Sequence, residues 1–465
     1  MEIEMEAGGP SSRRRRSVSP GKDEDGGGVD HISALPDAVL GEIITLLPTK
    51  DGGRTRILAS RWRHLWRSAP LNLECRDLGQ LAVVLVSHIL SSHQGPGRRF
   101  CITQGSIIYT SATTMDAWLR SAALDNLQEL DVWYGPHRPL SASTLRFSNT
   151  LRVFTIGGCD LAYNTGQPLH FPMLKQLGIE HVSVSEHSLH SLIASCPILE
   201  CLFIKYSVGF SSIRINSPSI KSVAISRCGT DGSGFHLVGQ IHLHELIIEN
   251  APCLETLLDL CNKCLHVSVV SAPKLETLGF LSEQLSDGMD ISTRLVFGYT
   301  AIQGLQVDGL AMVVRTVKVL AIRMETLNLD VVIELMKCFP CLEKLYIQGW
   351  STRENCLWRR KHRELIKCFD IRLKTIVIST YIGFWSEVNF ATFFVLNAKS
   401  LELMIFEVNS SNEEFISKEQ KKLQLDNRAS RGARFRFTTD RCLRGRLDID
   451  HVRDLDLADP FIRRC

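Results

Sequence analysis

The chain has 465 residues, of which 44% are hydrophobic and 22% are charged, so it is long enough for two or more domains and has the composition of a soluble globular protein. Its net charge of +3 gives no basic excess of the kind expected for a nucleic-acid-binding or membrane-surface protein. The most apolar stretches, Leu81 to Leu90 and Ala311 to Ile322, are too short or too charged to span a bilayer. We therefore expect neither nucleic acid nor membrane as a partner.

The N-terminal residues carry no pattern of a secreted protein. They are acidic and then basic, without the apolar run of a signal peptide, so the fifteen cysteines are expected to be reduced, buried thiols. Residues 1–29 are polar and Gly-rich without periodicity, which predicts a disordered tail. Within it, Arg13 to Arg16 fit either a nuclear-import signal or a solvated segment. These features predict a cytoplasmic or nuclear protein.

Residues 30–75 read as three short amphipathic helices. Apolar residues recur at steps of three and four, and Pro36 and Pro48 stand where a helix accepts a first-turn proline and where it ends. A unit of about 45 residues is too small to bury so many large apolar groups alone, which indicates a docking module. The apolar pattern comprises Leu35, Val39, Leu40, Ile43, Ile44 and Leu47, then Ile57, Leu58, Trp62, Leu65 and Trp66.

This stretch resembles the plant F-box, the helical motif that binds the Skp-type adaptor of cullin–RING ubiquitin ligases. The resemblance lies in Leu35-Pro36, Leu47-Pro48-Thr49-Lys50, Arg54-Thr55 and Arg61-Trp62, whose order and spacing are kept. The sequence departs from the motif at Gly52-Gly53 and at Ala59. Because two adjacent glycines cost roughly 1 kcal/mol each inside a helix, we expect the second helix to start only at Arg54.

The resemblance implies an adaptor-binding surface within this unit. Large apolar side chains are the usual energetic anchors of such interfaces. Three of the residues, Trp62, Leu65 and Trp66, are expected to be shared between adaptor contact and the core of the unit itself. The predicted adaptor-binding residues are Leu35, Pro36, Leu40, Ile43, Ile44, Leu47, Pro48, Trp62, Leu65 and Trp66.

A Leu-x-x-Leu-x-apolar phrase recurs through the rest of the chain at intervals of 21 to 42 residues, often with a proline two residues ahead. Such a period predicts leucine-rich repeats, in which each phrase forms a short strand and the repeats stack into a curved solenoid with a parallel sheet on its inner face. A further copy at Leu254 breaks the phrase at Asp259. The phrases begin at Leu127, Leu151, Leu174, Leu199, Ile220, Leu243, Leu275, Val317, Leu342, Leu373 and Leu401.

The segments between the phrases complete the repeats. His187 to Ser195 has helical periodicity and is expected to return the chain, while the wide intervals of 32 and 42 residues suggest irregular repeats or extra strands near Leu265 to Val270 and Leu295 to Val307. The predicted fold class is α/β: a three-helix F-box followed by an irregular leucine-rich-repeat solenoid. We place the tail at 1–29, the F-box at 30–75, an intervening segment at 76–113, the repeats at 114–410, and a partly helical C-terminal segment of unknown role at 411–465.

Phrases such as SCPILECLFI and CFPCLEKLYI, together with the C-terminal residues around Arg434 and Asp459, are similar to plant F-box/leucine-rich-repeat proteins. The resemblance implies a non-catalytic substrate receptor, whose F-box binds the Skp-type adaptor and through it a cullin, and whose repeats hold the protein to be ubiquitinated. The alternative is a repeat scaffold with a degenerate F-box and no role in ubiquitination. The x positions of the phrases, on the inner face, would select the substrate: Lys175, Glu200, Lys221, Glu276 and Glu343.

Other chemistry has weaker support. Cys261-x-x-Cys264 with His266, and Cys338-x-x-Cys341, have spacings that can bind zinc or perform redox work, which leaves a zinc or redox enzyme as a third hypothesis. Packing of small thiols in the repeats is the simpler interpretation. The basic residues Arg359 to Arg363 and those between Arg428 and Arg446 are expected to be solvated. We predict no cofactor and no metal.

Overall fold

The computed structural model describes most of the chain outside the N-terminal tail and several loops. The described residues are 31–32, 34–47, 49–75, 80–103, 105, 110–161, 170–226, 241–260, 265–282, 295–297, 300–302, 314–324, 327–349, 370–409, 412–439, 449–457 and 459–461. The predicted disordered tail, Pro48 and the pair Cys261 and Cys264 lie outside them. Within the described part of the chain, no helix has the length and apolar character needed to cross a bilayer.

Three helices form the N-terminal unit. They are α1 (Asp37–Leu46), α2 (Thr49–Arg54) and α3 (Ser60–Ser68), with a 3-10 turn at Thr55–Ile57 between the last two. The prediction that the second helix starts at Arg54 is wrong, because Gly52 and Gly53 lie inside α2. Gly52 is buried, and an added Cβ there would lie at ordinary van der Waals distance, 3.5 Å, from the Ile44 carbonyl oxygen and from Trp66 Nε1. The helix forms despite the intrinsic cost of the two glycines, and nothing within 4 Å of Gly53 requires a glycine at that position.

Among the described residues, 15 strands form the main sheet, and every neighbouring pair of them is parallel. Fourteen of them follow one another in space, and the short strand β6 (Ser183–Val184) pairs beside them with β4 (Val153–Leu161). In spatial order the fourteen are β1 (Leu71–Cys75), β2 (Gly97–Ile102), β3 (Glu129–Pro139), β4 (Val153–Leu161), β5 (Gln176–Glu180), β7 (Cys201–Lys205), β9 (Ser222–Ser226), β11 (Thr256–Asp259), β13 (Thr277–Ser282), β16 (Val319–Met324), β17 (Lys344–Gly349), β18 (Thr375–Tyr381), β19 (Leu403–Val408) and β20 (Arg434–Thr438).

The main sheet confirms the predicted repeat solenoid and the α/β fold class. Ten of the predicted phrases lead into strands of the main sheet. Each of these strands begins two residues after the leading apolar residue of its phrase, as in Leu199 before β7 and Leu342 before β17. The sheet extends from Leu71 to Thr438, beyond both predicted limits of the repeat domain at 114 and 410. The exact domain boundaries stay predictions.

A second sheet of five strands lies behind part of the solenoid. Its spatial order is β14 (Leu295–Phe297), β15 (Thr300–Ile302), β12 (His266–Val269), β10 (Glu245–Asn250) and β8 (Ser212–Asn216). Of the two predicted alternatives, irregular repeats or extra strands, the described residues of both regions form strands of this second sheet. The phrase at Leu243 leads into β10 of this sheet, whereas the broken copy at Leu254 supplies β11 of the main sheet.

Helices cover the solenoid elsewhere. They are α4 (Gln80–Ser92), α5 (Ala112–Leu119), α6 (Glu186–Ala194), α7 (Leu329–Cys338), α8 (Trp385–Asn397) and α9 (Glu413–Lys422). The helix predicted over His187 to Ser195 is confirmed as α6, and the Ser185 hydroxyl caps it by accepting a hydrogen bond from the Ser188 amide at 3.2 Å. At the start of α8, Glu387 accepts three backbone N–H groups, from Ile382, Gly383 and Phe384.

Successive side chains along a strand of the main sheet point to opposite faces, and an apolar cluster lies on each face. In β7, Leu202 and Ile204 point into the main core, beneath the helices and the second sheet, while Cys201 and Phe203 point to the opposite face. We call that opposite face of the main sheet the inner face. Strands lie about 4.8 Å apart and helices about 10 Å apart, so a stack of repeats curves with its strands on the concave side.

Candidate functional site

The helices of the N-terminal unit share a small core. Leu40, Ile44, Trp62, Leu65 and Ala69 cluster there, and none has more than 7% of its surface exposed. Four of these five belong to the predicted adaptor-binding set. The structure places them where they hold α1 against α3, and a direct contact with a partner stays a prediction for them.

The other residues of the predicted set lie nearer the surface. Leu35 and Leu47 are half-buried, Pro36 is exposed at the start of α1, and Ile43 is exposed. Trp66 is half-buried and packs against the small core as well as the main core.

Several large apolar side chains of the three-helix unit are exposed. Val39, Ile43 and Leu46 follow one another along α1 with 43%, 38% and 78% of their surface exposed, and Ile57 and Leu58 after α2 are 83% and 69% exposed. We call these five residues the exposed strip. Several exposed large apolar side chains on one small unit are consistent with a protein-binding surface. Only Ile43 was in the predicted set, although the signal for Val39 and Leu46 was present: they lie one residue before Leu40 and Leu47, on an adjacent stripe of the same helix.

A charged group fixes α1 against α3 at one end of the unit. The Arg61 guanidinium donates to the Asp37 carboxylate, with Nε 2.7 Å from Oδ1, and to the Leu35 carbonyl oxygen at 2.7 Å. The contact to Asp37 is solvent-exposed and stabilises little by itself. It joins the start of α1 to α3 beside the small core that the two helices share.

The helical unit is joined closely to the first strands of the solenoid. Asn72 in β1 donates to the Thr45 carbonyl oxygen in α1, and His93 after α4 lies 2.9 Å through Nε2 from the Ala69 carbonyl oxygen after α3. The Trp66 ring meets the His93 ring edge-on at 5.6 Å. We call this contact region the junction. Burial lowers the pKa of His93, and the hydrogen bond to Ala69 opposes that effect in part.

Gly95 sets the tightest approach at the junction. A Cβ placed on it would lie 2.4 Å from the Ala69 carbonyl oxygen and 2.5 Å from that of Ser68. No side chain fits there without backbone movement, because both neighbouring atoms belong to the main chain. The segment after α4 therefore lies directly against the end of α3 and fixes the helical unit to the repeats.

The inner face of the main sheet changes character along the solenoid. At its N-terminal end Arg99 lies 3.6 Å from Glu74, 3.8 Å from Glu129 and 3.5 Å from Asp131. From β7 onward the face carries a buried apolar cluster: Phe203, Ala224, Leu258, Phe280, Val319, Ala321, Tyr346, Val377 and Ile405.

A C-terminal segment covers this inner face. We call residues 449–457 and 459–461 the strap. Ile449, Val452, Leu455 and Phe461 of the strap are buried in one cluster with the apolar residues of the face. Its 3-10 turn, Val452–Asp456, lies over β5, β7 and β9. The predicted substrate face is therefore occupied by the chain itself.

The strap completes the charged end of the face. His451 Nε2 lies 2.9 Å from Asp131 Oδ1, and Arg453 forms an ion pair with Glu129. Burial acts to raise the pKa of Asp131, but the hydrogen bond from His451 and the charges of His451, Arg453 and Arg99 hold it well below its usual range. Asp131 is thus kept as a buried carboxylate by cations from both the sheet and the strap.

The residues predicted to select the substrate form ion pairs between neighbouring repeats. Glu200 bridges Lys175 at 2.7 Å and Lys221 at 2.8 Å. Glu276 pairs with Lys318 at 2.8 Å, and Glu343 with Lys374 at 3.1 Å. Each of the five predicted residues lies directly before a strand, so these ion pairs join neighbouring repeats at the N-terminal ends of the strands. Their part in substrate choice stays a prediction.

The cysteine and basic motifs lead to no further site in the described residues. Cys75, Cys101, Cys159, Cys196 and Cys201 are buried thiols there, and Cys338 and Cys341 are half-buried. Among the residues that the structure covers, no group of His, Cys, Asp and Glu has an arrangement that could hold a metal ion. Arg434 and Arg436 are exposed on β20, as expected for a strand with one polar face, whereas residues 359–363 lie outside the described part.

Comparison with known proteins agrees with this architecture. The family profile described as "FBD-associated F-box protein At5g56370, LRR repeats" matches residues 115–347, just over half of the chain. The chain belongs to the plant F-box/leucine-rich-repeat family. A second profile, FBD, matches residues 361–406.

Individual members of the family from Arabidopsis thaliana are similar at low identity. F-box/LRR-repeat protein At5g02910 is 24% identical over 423 residues, which cover 81% of this chain and 88% of that relative. F-box/FBD/LRR-repeat protein At1g78750 is 30% identical over 199 residues, 38% of this chain and 42% of the relative. F-box protein At5g03100 is 24% identical over 238 residues, 50% of this chain and 74% of the relative. The chain spans about half the length of several other relatives that it matches.

The FBD match was not predicted as a separate feature. The phrases at Leu373 and Leu401 instead suggested two further repeats, and the structure shows why the two interpretations coincide. The described part of the match contains β18, α8 and most of β19, and both strands continue the main sheet in parallel. In this F-box/leucine-rich-repeat protein the FBD therefore extends the solenoid.

The close approach at Gly95 predicts a sensitive junction. We expect Gly95→Ala to destabilise the F-box and the first strands by about 1–3 kcal/mol, because the added methyl group forces backbone carbonyls apart. Chemical denaturation followed by Trp fluorescence measures the effect. Gly53→Ala in α2 is the matched control: an added Cβ there meets nothing within 4 Å, so this variant should gain up to about 1 kcal/mol. Equal effects of the two substitutions would contradict the described junction.

His93 predicts a pH dependence of stability. Its folded-state pKa lies below its unfolded value of about 6.5, so the unfolded chain takes up the proton first as the pH falls. The contribution of His93 is therefore fully present above about pH 7 and is lost as the pH falls below 6.5 toward the folded-state pKa. We expect the unfolding midpoint of the wild type to fall more between pH 7.5 and pH 5.5 than that of His93→Gln. Parallel pH curves for the two proteins would show that His93 is not responsible.

Proposed function

We propose that this protein is the substrate-recognition subunit of a Skp–cullin–F-box ubiquitin ligase. The exposed strip would bind the Skp-type adaptor, which bridges to a cullin, and the repeat solenoid would hold the protein to be ubiquitinated. The observation that carries the proposal is the exposed strip itself, on a helical unit whose order of motifs resembles an F-box. Membership in the F-box/leucine-rich-repeat family supports it.

The exposed strip supplies what an adaptor interface needs. Each large aliphatic side chain that becomes fully buried stabilises a complex by roughly 1.5–3 kcal/mol. Leu46, Ile57 and Leu58 are mostly exposed, so they have much of this free energy still to gain. The buried residues Leu40, Ile44, Trp62 and Leu65 would act indirectly, because they hold the helices that present the strip. The proposed direct contacts are therefore Pro36 and Leu47 together with the strip.

The protein would make no bond of its own in this role. Its contribution would be proximity: holding a substrate lysine near a charged ubiquitin-conjugating enzyme makes their encounter effectively intramolecular. Such a mechanism needs a fixed geometry between the adaptor site and the substrate site. The junction supports it, since Asn72, His93 and Gly95 fasten the helical unit to the first strands.

Adaptor binding is tested with a double variant of the exposed strip. We expect Ile43→Asp with Leu46→Asp to weaken co-purification with a Skp-type adaptor by at least about 100-fold, because two carboxylates would have to be buried against apolar surface. Quantitative pull-down of purified proteins measures the loss. Leu46 is mostly exposed and Ile43 partly so, and neither belongs to the small core, so the fold should be retained; circular dichroism verifies this.

The matched control is Val84→Asp on α4, an aliphatic residue 69% exposed outside the strip. It should bind the adaptor as the wild type does. If the intact protein binds no adaptor, or if the strip variant binds as well as the control, the receptor proposal fails. The protein would then be a repeat scaffold with a degenerate F-box.

A further inference from the structure

The strap crosses the inner face from β3 and β4 to β17, within a main sheet that runs from β1 to β20. His451 contacts β3 and β4, where its Nε2 lies 2.9 Å from Asp131 Oδ1 and 3.0 Å from Thr155 Oγ1. Phe461 lies at the other end, against Tyr346 of β17. A segment of only 13 residues, 449–461, thus reaches strands contributed by most of the repeats. No other feature of the described chain lies so directly on the face that a repeat protein uses for binding.

Polar side chains of the sheet hold the C-terminal end of the strap. The Asp459 carboxylate accepts a hydrogen bond from Lys344 Nζ at 2.6 Å and one from the Tyr346 hydroxyl at 3.0 Å, both to the same oxygen. Asp459 has only 8% of its surface exposed. A carboxylate so buried is stable because a cation and a hydroxyl are directed at it.

An aromatic recess adjoins this carboxylate site. The Phe461 ring lies 4.8 Å from the ring of Tyr346 and 5.8 Å from that of Phe280. Gly279 forms its floor, since an added Cβ there would lie 3.0 Å from Phe461 Cζ. The face therefore holds two groups of the strap at a fixed spacing, the Asp459 carboxylate and, two residues later, the Phe461 ring.

Side chains hold the strap on the sheet. The Ser222 hydroxyl donates to the Leu455 carbonyl oxygen at 3.1 Å, and Gln176 Nε2 reaches Asp456 Oδ2 at 3.5 Å. The backbone amides of Asp454 and Leu457 bond within the strap itself, to His451 and Asp454. Contacts of this kind are those of a bound peptide and not of a strand in a ladder. The strap therefore takes no part in the strand pairing of the main sheet.

We propose that the inner face is a peptide-binding groove that the chain's own residues 449–461 occupy, and that a substrate enters it by displacing them with a segment of the same chemistry: an aspartate or glutamate followed two residues later by an aromatic side chain. That the displacing segment belongs to a substrate rests on the proposed receptor function. The existence of the groove and of its intramolecular occupant can be tested without any adaptor.

Tethering predicts the size of the effect. A segment of the same chain competes for its groove at an effective concentration of the order of millimolar, so an external peptide binds weakly until the strap is weakened. Releasing the strap should therefore increase the affinity of the groove for an external peptide with the same sequence.

The experiment uses the full chain with Asp459→Asn and Phe461→Ala in the strap. The probe is a fluorescent synthetic peptide with the wild-type sequence of residues 449–461, and its binding is measured by fluorescence anisotropy. We expect the released variant to bind the probe at least about tenfold more tightly than the wild type. Adding Lys344→Ala to the released variant should abolish the gain, and a probe that carries the Asn and Ala substitutions should not bind. The matched control combines Phe415→Ala, in α9, with Asp426→Asn, after α9, and should bind the probe as the wild type does.

Three results would overturn the proposal. A released variant that stays folded and binds the probe no better than the wild type would show that the face is not a peptide groove. A released variant that unfolds would show that the strap is a permanent part of the core. Hydrogen exchange of the wild type gives an independent test: the strap amides should exchange much faster than those of β7 and β9, and equal rates would exclude a displaceable strap.

The strip variant Ile43→Asp with Leu46→Asp separates this inference from the receptor proposal. It should bind the probe as weakly as the wild type does, because the strip takes no part in the groove. Loss of adaptor binding with an intact groove, or the reverse, would show which of the two proposals fails.

Discussion

The inner face of the main sheet imposes the constraint on which the rest of this structure depends. Parallel sheets are stable when both faces are covered, and the helices and second sheet of the solenoid cover only one. From β7 onward the other face carries large apolar groups, among them Phe203, Phe280 and Tyr346. Left in water, they would form an extended exposed patch. The strap covers this face, so one segment stabilises the fold and occupies the surface with which a repeat protein binds its partner.

Charge gives the strap its direction. Its N-terminal part brings His451 and Arg453 to the acidic residues Glu129 and Asp131, while Asp459 meets Lys344 at the far end. In the reversed orientation a carboxylate would face Glu129 and Asp131, and a guanidinium would face Lys344. Groups of the same charge would then face each other at both ends of the strap in a poorly solvated environment, and their repulsion disfavours the reversed orientation. The apolar contacts of Val452 and Leu455 provide the burial between the two ends, and the charges fix the register.

Local patterns were sufficient to predict the repeats but not the contacts between distant segments. Each phrase places its second and third apolar residues on one face of a strand, so β7 and β17 follow from a few neighbouring residues. The same phrase at Leu243 and Leu254 leads into different sheets, because the choice depends on which strands already lie beside each segment. The strap was beyond prediction for a related reason: His451 is 320 residues from Asp131, and nothing in the periodicity of either segment refers to the other. Residues 411–465 therefore read only as a segment of unknown role.

The same limit explains the mixed result for the helical unit. Helix α1 carries two adjacent apolar stripes, and its periodicity cannot tell which of them turns toward α3. Trp62 and Leu65 of α3 decide the matter by burying Leu40 and Ile44, which leaves the stripe of Val39 and Leu46 exposed. The two surfaces thus differ in accessibility: the exposed strip is open to solvent, whereas the strap covers the inner face. In the proposed receptor, binding of the adaptor would need no rearrangement. Binding of a substrate would be the controlled step, because the substrate has to compete with the strap for the inner face of the solenoid.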